Sequence, residues 1–124
     1  NGRVDKWVNL SPKGTVMSVK HSCFGLFVDN NNNLYCSLPI EHRVVKHPLD
    51  NKPNITKTVA GNGTAGNTSY MLNTPMGIFV HTNFSLYVVD HWNHRIQLFQ
   101  PNQTNGTTIV GKEVSAELIL QNPT

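Results

Sequence analysis

The chain contains a gapless internal repeat, and this repeat constrains the fold more than any other feature of the sequence. Residues 25–47 align with residues 77–99 at a shift of 52 positions, and 8 of the 23 aligned pairs are identical. Residues 3–15 resemble residues 95–107 in a looser way. The repeat therefore predicts the end of one structural unit, two complete units and the beginning of a further one.

Each complete unit contains four short apolar runs separated by turns of Asn, Gly and Pro. In the second unit the runs are GIFV, SLYVVD, HRIQLF and TTIVG. They are rich in Val, Ile, Phe and Tyr and have the length of strands rather than helices. Four antiparallel strands in a unit of roughly 40–50 residues are typical of a β-propeller blade. We predict an all-β fold of four-stranded antiparallel blades that form an incomplete ring.

The order of the motifs within the units points to a known family. The elements P-x-G-[IL]-F-V, LYV-x-D and N-H-R-[IV]-Q-x-F, followed by the run TTIVG, occur in order most clearly in residues 75–111, and this combination resembles the NHL repeat. NHL proteins form six-bladed propellers, so the resemblance implies less than half of a ring, which the remaining blades of a longer protein would close. The expected division is the end of a blade at 1–22, full blades at 23–61 and 62–111, and the start of another at 112–124.

Recurrence separates structural residues from candidate site residues, because a structural residue is expected in every blade. We expect each recurring Arg to fork hydrogen bonds to carbonyl groups or a carboxylate of a neighbouring blade. In the second unit a D-x-x-N pattern should cap a tight turn through nearby backbone N–H groups. The first unit has Leu38 and Glu41 in these two places. The structural positions are Gly25, Gly77, His42, His94, Arg43, Arg95, Asp90 and Asn93.

Two residues of the D-x-x-N turn, His91 and Trp92, do not recur, because the first unit has Pro39 and Ile40 in their places. In an up-and-down blade, the turns between second and third strands share one end with the connections between blades. Loops on a rigid scaffold are common binding sites. These residues form either a contact surface for a protein or glycan partner or ordinary loop packing. The candidate binding residues are Glu41, Tyr70, Met71, His91 and Trp92.

The sequence offers no complete catalytic or metal-binding set. Asp90, His91 and His94 suggest zinc, but they do not supply a full set of ligands. No strained G-x-S-x-G turn or paired nucleophile occurs. We therefore predict a binding module with no catalytic residue, metal or cofactor. The alternative is part of a metal-dependent propeller lyase or lactonase, whose remaining residues would come from other blades.

Asparagine usage favours an extracellular protein. Seven of the 16 Asn stand in N-x-[ST] sequons, whereas chance would give roughly two. We expect N-glycosylation and secretion, with a cytoplasmic protein rich in turn residues as the alternative. Two cysteines, Cys23 and Cys36, would form a disulfide in a secreted chain or act as small hydrophobic residues. The sequons are at Asn9, Asn54, Asn62, Asn67, Asn83, Asn102 and Asn105.

The charge distribution argues against nucleic acid as a partner. The net charge is +3, and the ten Lys and Arg are scattered along the chain, whereas nucleic-acid binding needs basic residues gathered on one face. The second alternative is nevertheless an RNA-binding NHL domain of the kind found in intracellular ubiquitin ligases. No apolar run approaches the roughly 18 residues of a membrane helix, so we predict no membrane segment in this chain.

Overall fold

The computed structural model describes residues 3–8, 11–18, 22–49 and 55–111, with side chains from residue 22 onward. Within this part, the only helical element is a single 3₁₀ turn at His91–Asn93. No described helix is long and apolar enough to cross a membrane. The strands are β1 (Arg3–Val8), β2 (Ser11–Ser18), β3 (Leu26–Val28), β4 (Asn33–Leu38), β5 (Arg43–Pro48), β6 (Lys57–Ala60), β7 (Pro75–Val80), β8 (Leu86–Asp90), β9 (Arg95–Phe99) and β10 (Thr107–Gly111).

The strands form three antiparallel sheets, each in the order of the sequence. One sheet holds β1 and β2, and two four-stranded sheets hold β3 to β6 (the first blade) and β7 to β10 (the second blade). The all-β prediction, with four antiparallel strands to a blade and an incomplete ring, is confirmed. The predicted start of a following blade at 112–124 lies outside the described residues.

The hairpin between β3 and β4 shows how local side chains shape a blade. The Oδ1 atom of Asp29 accepts hydrogen bonds from the backbone N–H groups of Asn31 and Asn33, at 2.8 and 2.9 Å. Asn32 occupies the left-handed region with φ of 61°, which asparagine tolerates better than most residues. The run of asparagines is therefore a turn that pairs β3 with β4.

The main hydrophobic core lies between the two blades. Because side chains alternate along each strand, one row from each sheet faces the other blade. Fully burying a large apolar side chain contributes about 1.5–3 kcal/mol, so this interface fixes the two sheets to each other. The buried members are Tyr35, Val44, Ala60, Leu72, Val80, Leu86, Val88 and Phe99.

The inner strands of the two blades approach each other closely at Gly25. A Cβ atom added there would lie 2.7 Å from the Met76 carbonyl oxygen. Ser37 completes the junction, since its hydroxyl donates to that carbonyl at 2.5 Å and accepts from the Gly25 N–H at 2.8 Å. A Cβ at the repeat-related Gly77 would meet only Val89, at 3.6 Å. The glycine is thus required by close packing in the first blade.

The opposite face of the second blade carries an apolar row that is partly exposed to solvent. Phe79, Tyr87 and Leu98 are cross-strand partners on β7, β8 and β9. The side chain of Phe79 is 49% exposed, and its ring lies 5.2 Å from that of Phe27 on the first blade. Tyr87 and Leu98 are half-buried, so Phe79 is the exposed member of this row.

Candidate functional site

The β8–β9 turn is a single 3₁₀ turn followed by a left-handed residue. His94 has φ of 53° and donates its N–H to the His91 carbonyl at 3.1 Å. The repeat-related His42 has φ of 55°. Histidine is enriched several-fold in this region among non-glycine residues. The recurring histidines therefore reverse the chain immediately before the third strand of each blade.

Asp90 organises this turn from a completely buried position. Its Oδ1 atom accepts the backbone N–H of Asn73 at 2.7 Å. Its Oδ2 atom accepts from Asn93 Nδ2 at 2.8 Å and from Arg95 Nε at 2.7 Å. The prediction that Asp90 caps its own turn is wrong, because the side chain makes no cap hydrogen bond there. Its carboxylate instead joins the turn to the connection between the blades.

Arg95 fixes the same connection by donating to three carbonyl groups. The guanidinium reaches the carbonyls of Asn67, Thr68 and Met71 at 3.1, 2.9 and 2.9 Å. Arg95 thus makes hydrogen bonds of the predicted kind, to carbonyl groups and to the Asp90 carboxylate. Its partners, however, lie in the loop leading into its own blade and in that blade.

Asn93 contributes a second link to the connection. Its Nδ2 group donates to the Gly66 carbonyl at 2.8 Å as well as to Asp90. An added Cβ at Gly66 would collide with the Met71 thioether, so glycine allows Met71 to fold over this position. The loop is therefore held from both sides, and its backbone is not free to move independently of the turn.

The first blade uses the equivalent positions differently. Arg43 pairs with Glu41 at 2.7 Å and donates to Thr58 Oγ1 at 2.7 Å, so these partners lie within its own blade. His42 supplies the link between blades, since its Nδ1 atom accepts the Thr74 N–H at 3.0 Å. The same sequence motif thus supports two different hydrogen-bond arrangements.

The loop-end surface is defined by the turns 39–42 and 91–94 and the connection 62–74. The side chains of Trp92 and Tyr70 are 60% and 55% exposed. The His91 ring lies edge-on to the Trp92 ring at 5.5 Å. The backbone N–H of Trp92 donates to the Asn73 carbonyl at 3.1 Å. The structure therefore presents an exposed indole on a backbone that hydrogen bonds hold in place.

The other two candidate contact residues are less accessible. Met71 is half-buried over Gly66. The Glu41 side chain is only 13% exposed and pairs with Arg43, so it offers a partner little surface. Sequence reasoning did not select Ile40, which is 67% exposed in the neighbouring turn. Its position opposite Trp92 in the repeat alignment would have identified it.

The cysteines and the described sequons have defined positions. Cys23 and Cys36 form a disulfide with a Cα–Cα distance of 5.5 Å, and Cys36 is buried in the second core cluster of the first blade. Asn9 and Asn54 lie outside the described residues. The remaining sequon asparagines, Asn62, Asn67, Asn83, Asn102 and Asn105, are exposed.

The sequons divide between the two ends of the blades. Asn62 and Asn67 belong to the loop-end surface, whereas Asn83 lies in the β7–β8 turn. Asn102 and Asn105 lie between β9 and β10. In a meander, the β7–β8 and β9–β10 turns share the end opposite the loop-end surface.

At the end opposite the loop-end surface, a cavity of about 340 Å³ lies between the two blades. We call it the interblade pocket. Its walls include Asp29, Tyr35 and Lys46 of the first blade and Phe99 and Asn102 of the second. Sequence reasoning missed it, because its walls come from turns that are distant in the sequence and meet only when the blades pack.

Asp29 and Tyr35 are coupled beside this pocket. Burial alone would raise the pKa of the Asp29 carboxyl, but hydrogen bonds from Asn33, Tyr35 and Asn31 outweigh it and hold that pKa below its usual value. Burial raises the pKa of the Tyr35 phenol, and its hydrogen bond to Asp29 and the carboxylate charge raise it further. The Tyr35 hydroxyl donates to Asp29 Oδ2 at 2.9 Å. The pair is therefore an ionised carboxylate with a neutral phenol donor.

Asp90, His91 and His94 do not form a metal-binding group in this turn. Within residues 22–49 and 55–111, no three His, Cys, Asp or Glu side chains are grouped so as to hold a metal ion. Asp90 is already engaged by Asn73, Asn93 and Arg95.

Comparisons with known proteins identify the fold. No family model matches the chain, and no curated protein matches it. Among solved structures, the chain is similar to a chain of a nidogen/laminin complex, with a TM-score of 0.67 and 15% identity. The match covers 90% of this chain and 42% of the solved one, so the chain spans less than half the length of the structure that it resembles. At this identity the similarity concerns the fold alone, and that fold is a partial β-propeller.

Proposed function

We propose that the chain is part of an extracellular NHL-type propeller that binds a protein partner through the loop-end surface and performs no catalysis. In this proposal the blades span 23–61 and 62–111, the flanking segments 1–22 and 112–124 belong to neighbouring blades, and further blades close the ring. The single observation that carries the binding proposal is the exposed Trp92 on a fixed turn. Exposed aromatic side chains on rigid backbones are frequent anchors of protein interfaces.

Two further features support an extracellular protein partner. The disulfide between Cys23 and Cys36 suits an oxidising compartment, and the exposed sequons suit a glycosylated surface. The similar solved chain comes from a complex of two proteins. RNA is disfavoured, because the two Arg side chains of the neighbouring turns are paired with Glu41 and Asp90.

The test is a binding screen of the chain against a panel of purified extracellular proteins from the same source. A specific partner should bind Trp92→Ala about 30-fold more weakly, since anchor residues commonly contribute about 2 kcal/mol or more. Ile109→Ala, which removes another exposed apolar side chain on the outer strand β10, should leave the affinity unchanged. Equal affinity of Trp92→Ala and the wild type for every partner found would overturn this surface assignment.

Localisation needs a separate measurement. The chain should be expressed through a secretory pathway, and its intact mass should be compared before and after enzymatic removal of N-glycans. A fall in mass supports glycosylation. An unchanged mass, with thiols that react with a labelling reagent, would contradict the extracellular assignment.

A further inference from the structure

The interblade pocket brings together two positively charged side chains that have no protein counter-ion in the described part of the chain. Lys46 and Lys57 are direct cross-strand partners on β5 and β6, and both line the pocket. Like charges directly opposite each other are destabilising in a sheet. The Lys46 ammonium lies 5.9 Å from the centre of the Tyr35 ring, which is a favourable contact but not a neutralising one. The arrangement therefore favours a bound negative charge.

The nearest carboxylate, Asp29, makes no direct ion pair with either lysine. Asp29 accepts four hydrogen bonds, from the backbone N–H groups of Asn31 and Asn33, the Asn33 side chain and the Tyr35 hydroxyl. These donors fix the carboxylate in the hairpin. A negative group in direct contact with both lysines would therefore come from outside the described residues.

The remaining walls of the pocket combine amide groups with apolar side chains. Gln100 accepts a hydrogen bond from Ser85 through Oε1 at 3.2 Å, which leaves its amide NH₂ available as a donor. Asn31 and Gln103 add exposed amides, and Phe84 adds an aromatic side chain. Amide groups can donate to and accept from hydroxyl groups. The volume of about 340 Å³ is at the small end of ligand-binding pockets.

We infer that the interblade pocket binds an acidic monosaccharide unit, with its carboxylate at Lys46 and Lys57 and its hydroxyl groups against the amide-rich wall. The unit could be a free sugar acid or one residue of a longer acidic saccharide. The pocket has the same recognition chemistry for both sources, and the two are distinguished by experiment. The inference is independent of the loop-end surface, which lies at the other end of the blades.

The experiment titrates the ¹⁵N-labelled chain, produced without glycosylation, with D-glucuronic acid and with a tetrasaccharide containing glucuronic acid. Glucose and acetate are the controls for the hydroxyl groups and the charge. Chemical-shift changes confined to Asn31, Lys46, Gln100 and Gln103 are expected for the sugar acid, at roughly millimolar affinity. Tighter binding of the tetrasaccharide would identify a polymer as the source, and equal binding would identify the free acid.

Two variants with the same change in net charge test the assignment. Lys57→Gln removes an exposed charge at the pocket and should weaken glucuronate binding about tenfold, as expected for one charge-assisted hydrogen bond. Thr64→Glu lowers the net charge equally at the loop-end surface and should leave the affinity unchanged. A circular dichroism spectrum of each variant verifies that the sheets remain folded.

Three results would overturn the inference. The first is an absence of shift changes with both glucuronate and the tetrasaccharide. The second is acetate binding as tightly as glucuronate, since the amide wall would then contribute nothing. The third is an equal effect of Lys57→Gln and Thr64→Glu, since the attraction would then come from the overall charge.

Discussion

The Arg95 guanidinium and the Asp90 carboxylate meet at 2.7 Å, and the carboxylate is completely buried. The pair in the first blade, Arg43 and Glu41, has the same 2.7 Å separation, but its arginine side chain is 33% exposed. Solvent therefore screens the Arg43–Glu41 pair more strongly than the Arg95–Asp90 pair. Two pairs of equal length should consequently contribute unequally to stability.

Replacing the two repeat-related arginines by glutamine should reveal this difference. Arg95→Gln leaves Asp90 buried without its cation, and we expect a loss of about 3 kcal/mol. Arg43→Gln should cost under about 1 kcal/mol, as for a partly exposed ion pair. Urea unfolding of both variants measures the two effects. Equal losses would mean that burial of Asp90 does not determine the strength of the pair.

The disulfide between Cys23 and Cys36 should stabilise the first blade. The two cysteines are 13 positions apart in the sequence, and restricting the unfolded chain over such a loop contributes about 3 kcal/mol. Reduction should lower the urea midpoint of the wild type. A Cys23→Ala/Cys36→Ala variant should have a lower urea midpoint than the wild type, and reductant should not change it. A fall in that midpoint on adding reductant would contradict the assignment.

Asp29 should make the chain less stable in acid. Its folded-state pKa is held below the usual value of 3.8, so the unfolded chain binds a proton more readily than the folded chain. The resulting stabilisation is complete above the unfolded-state pKa and is lost as the pH falls through the folded-state pKa. Asp29→Asn should therefore reduce the slope of stability against pH below about pH 4.

Tyr35→Phe provides a matched variant for this acid dependence. It removes one of the hydrogen bonds that hold the pKa of Asp29 down. The slope of stability against pH should be intermediate between those of the wild type and Asp29→Asn. Urea midpoints measured from pH 6 to pH 2 make the comparison, and three parallel curves would show that this carboxyl has no role in acid unfolding.

Two glycines with similar backbone conformation should respond differently to alanine. Gly61 has φ of 83°, and an added Cβ would collide with the His42 carbonyl oxygen and lie 2.9 Å from the Arg43 Cα. Gly61→Ala should therefore cost about 3 kcal/mol through combined backbone strain and overpacking. Gly63 has φ of 90° but open space around it. Gly63→Ala should cost about 1 kcal/mol through strain alone, as thermal unfolding would measure.

The partly exposed apolar row of the second blade (Phe79, Tyr87 and Leu98) should make the isolated chain self-associate or only marginally stable. Phe79→Lys places a charge in this row and should shift the sedimentation coefficient toward that of a monomer. Ile40→Lys changes an exposed apolar residue in the β4–β5 turn of the first blade and should leave association unchanged. A monomeric wild type with one sharp unfolding transition would contradict the prediction.

The sequence predicted the strands well because their information is local. Alternating side chains and the Asn-rich turn at Asp29 specify a hairpin without reference to the rest of the chain. The role of Asp90 was not predictable in this way, since its partner Asn73 is 17 residues away in a loop without a repeating pattern. The interblade pocket was missed for the same reason. Lys46 and Asn102 become neighbours of one cavity only through the angle at which the two sheets pack.

The attachment of residues 62–74 has a consequence for how such a chain can grow by duplication. Three of the side chains that fasten this loop, Asp90, Asn93 and Arg95, belong to the blade that follows it, and His42 of the preceding blade holds only its last residue, Thr74. A gene segment that begins before residue 62 and ends after β10 would carry the loop and its fasteners together. A copied segment that begins at β7 would leave the fasteners without their loop. A duplicated unit that keeps these contacts is therefore offset from the four-stranded sheet and begins one loop before its first strand.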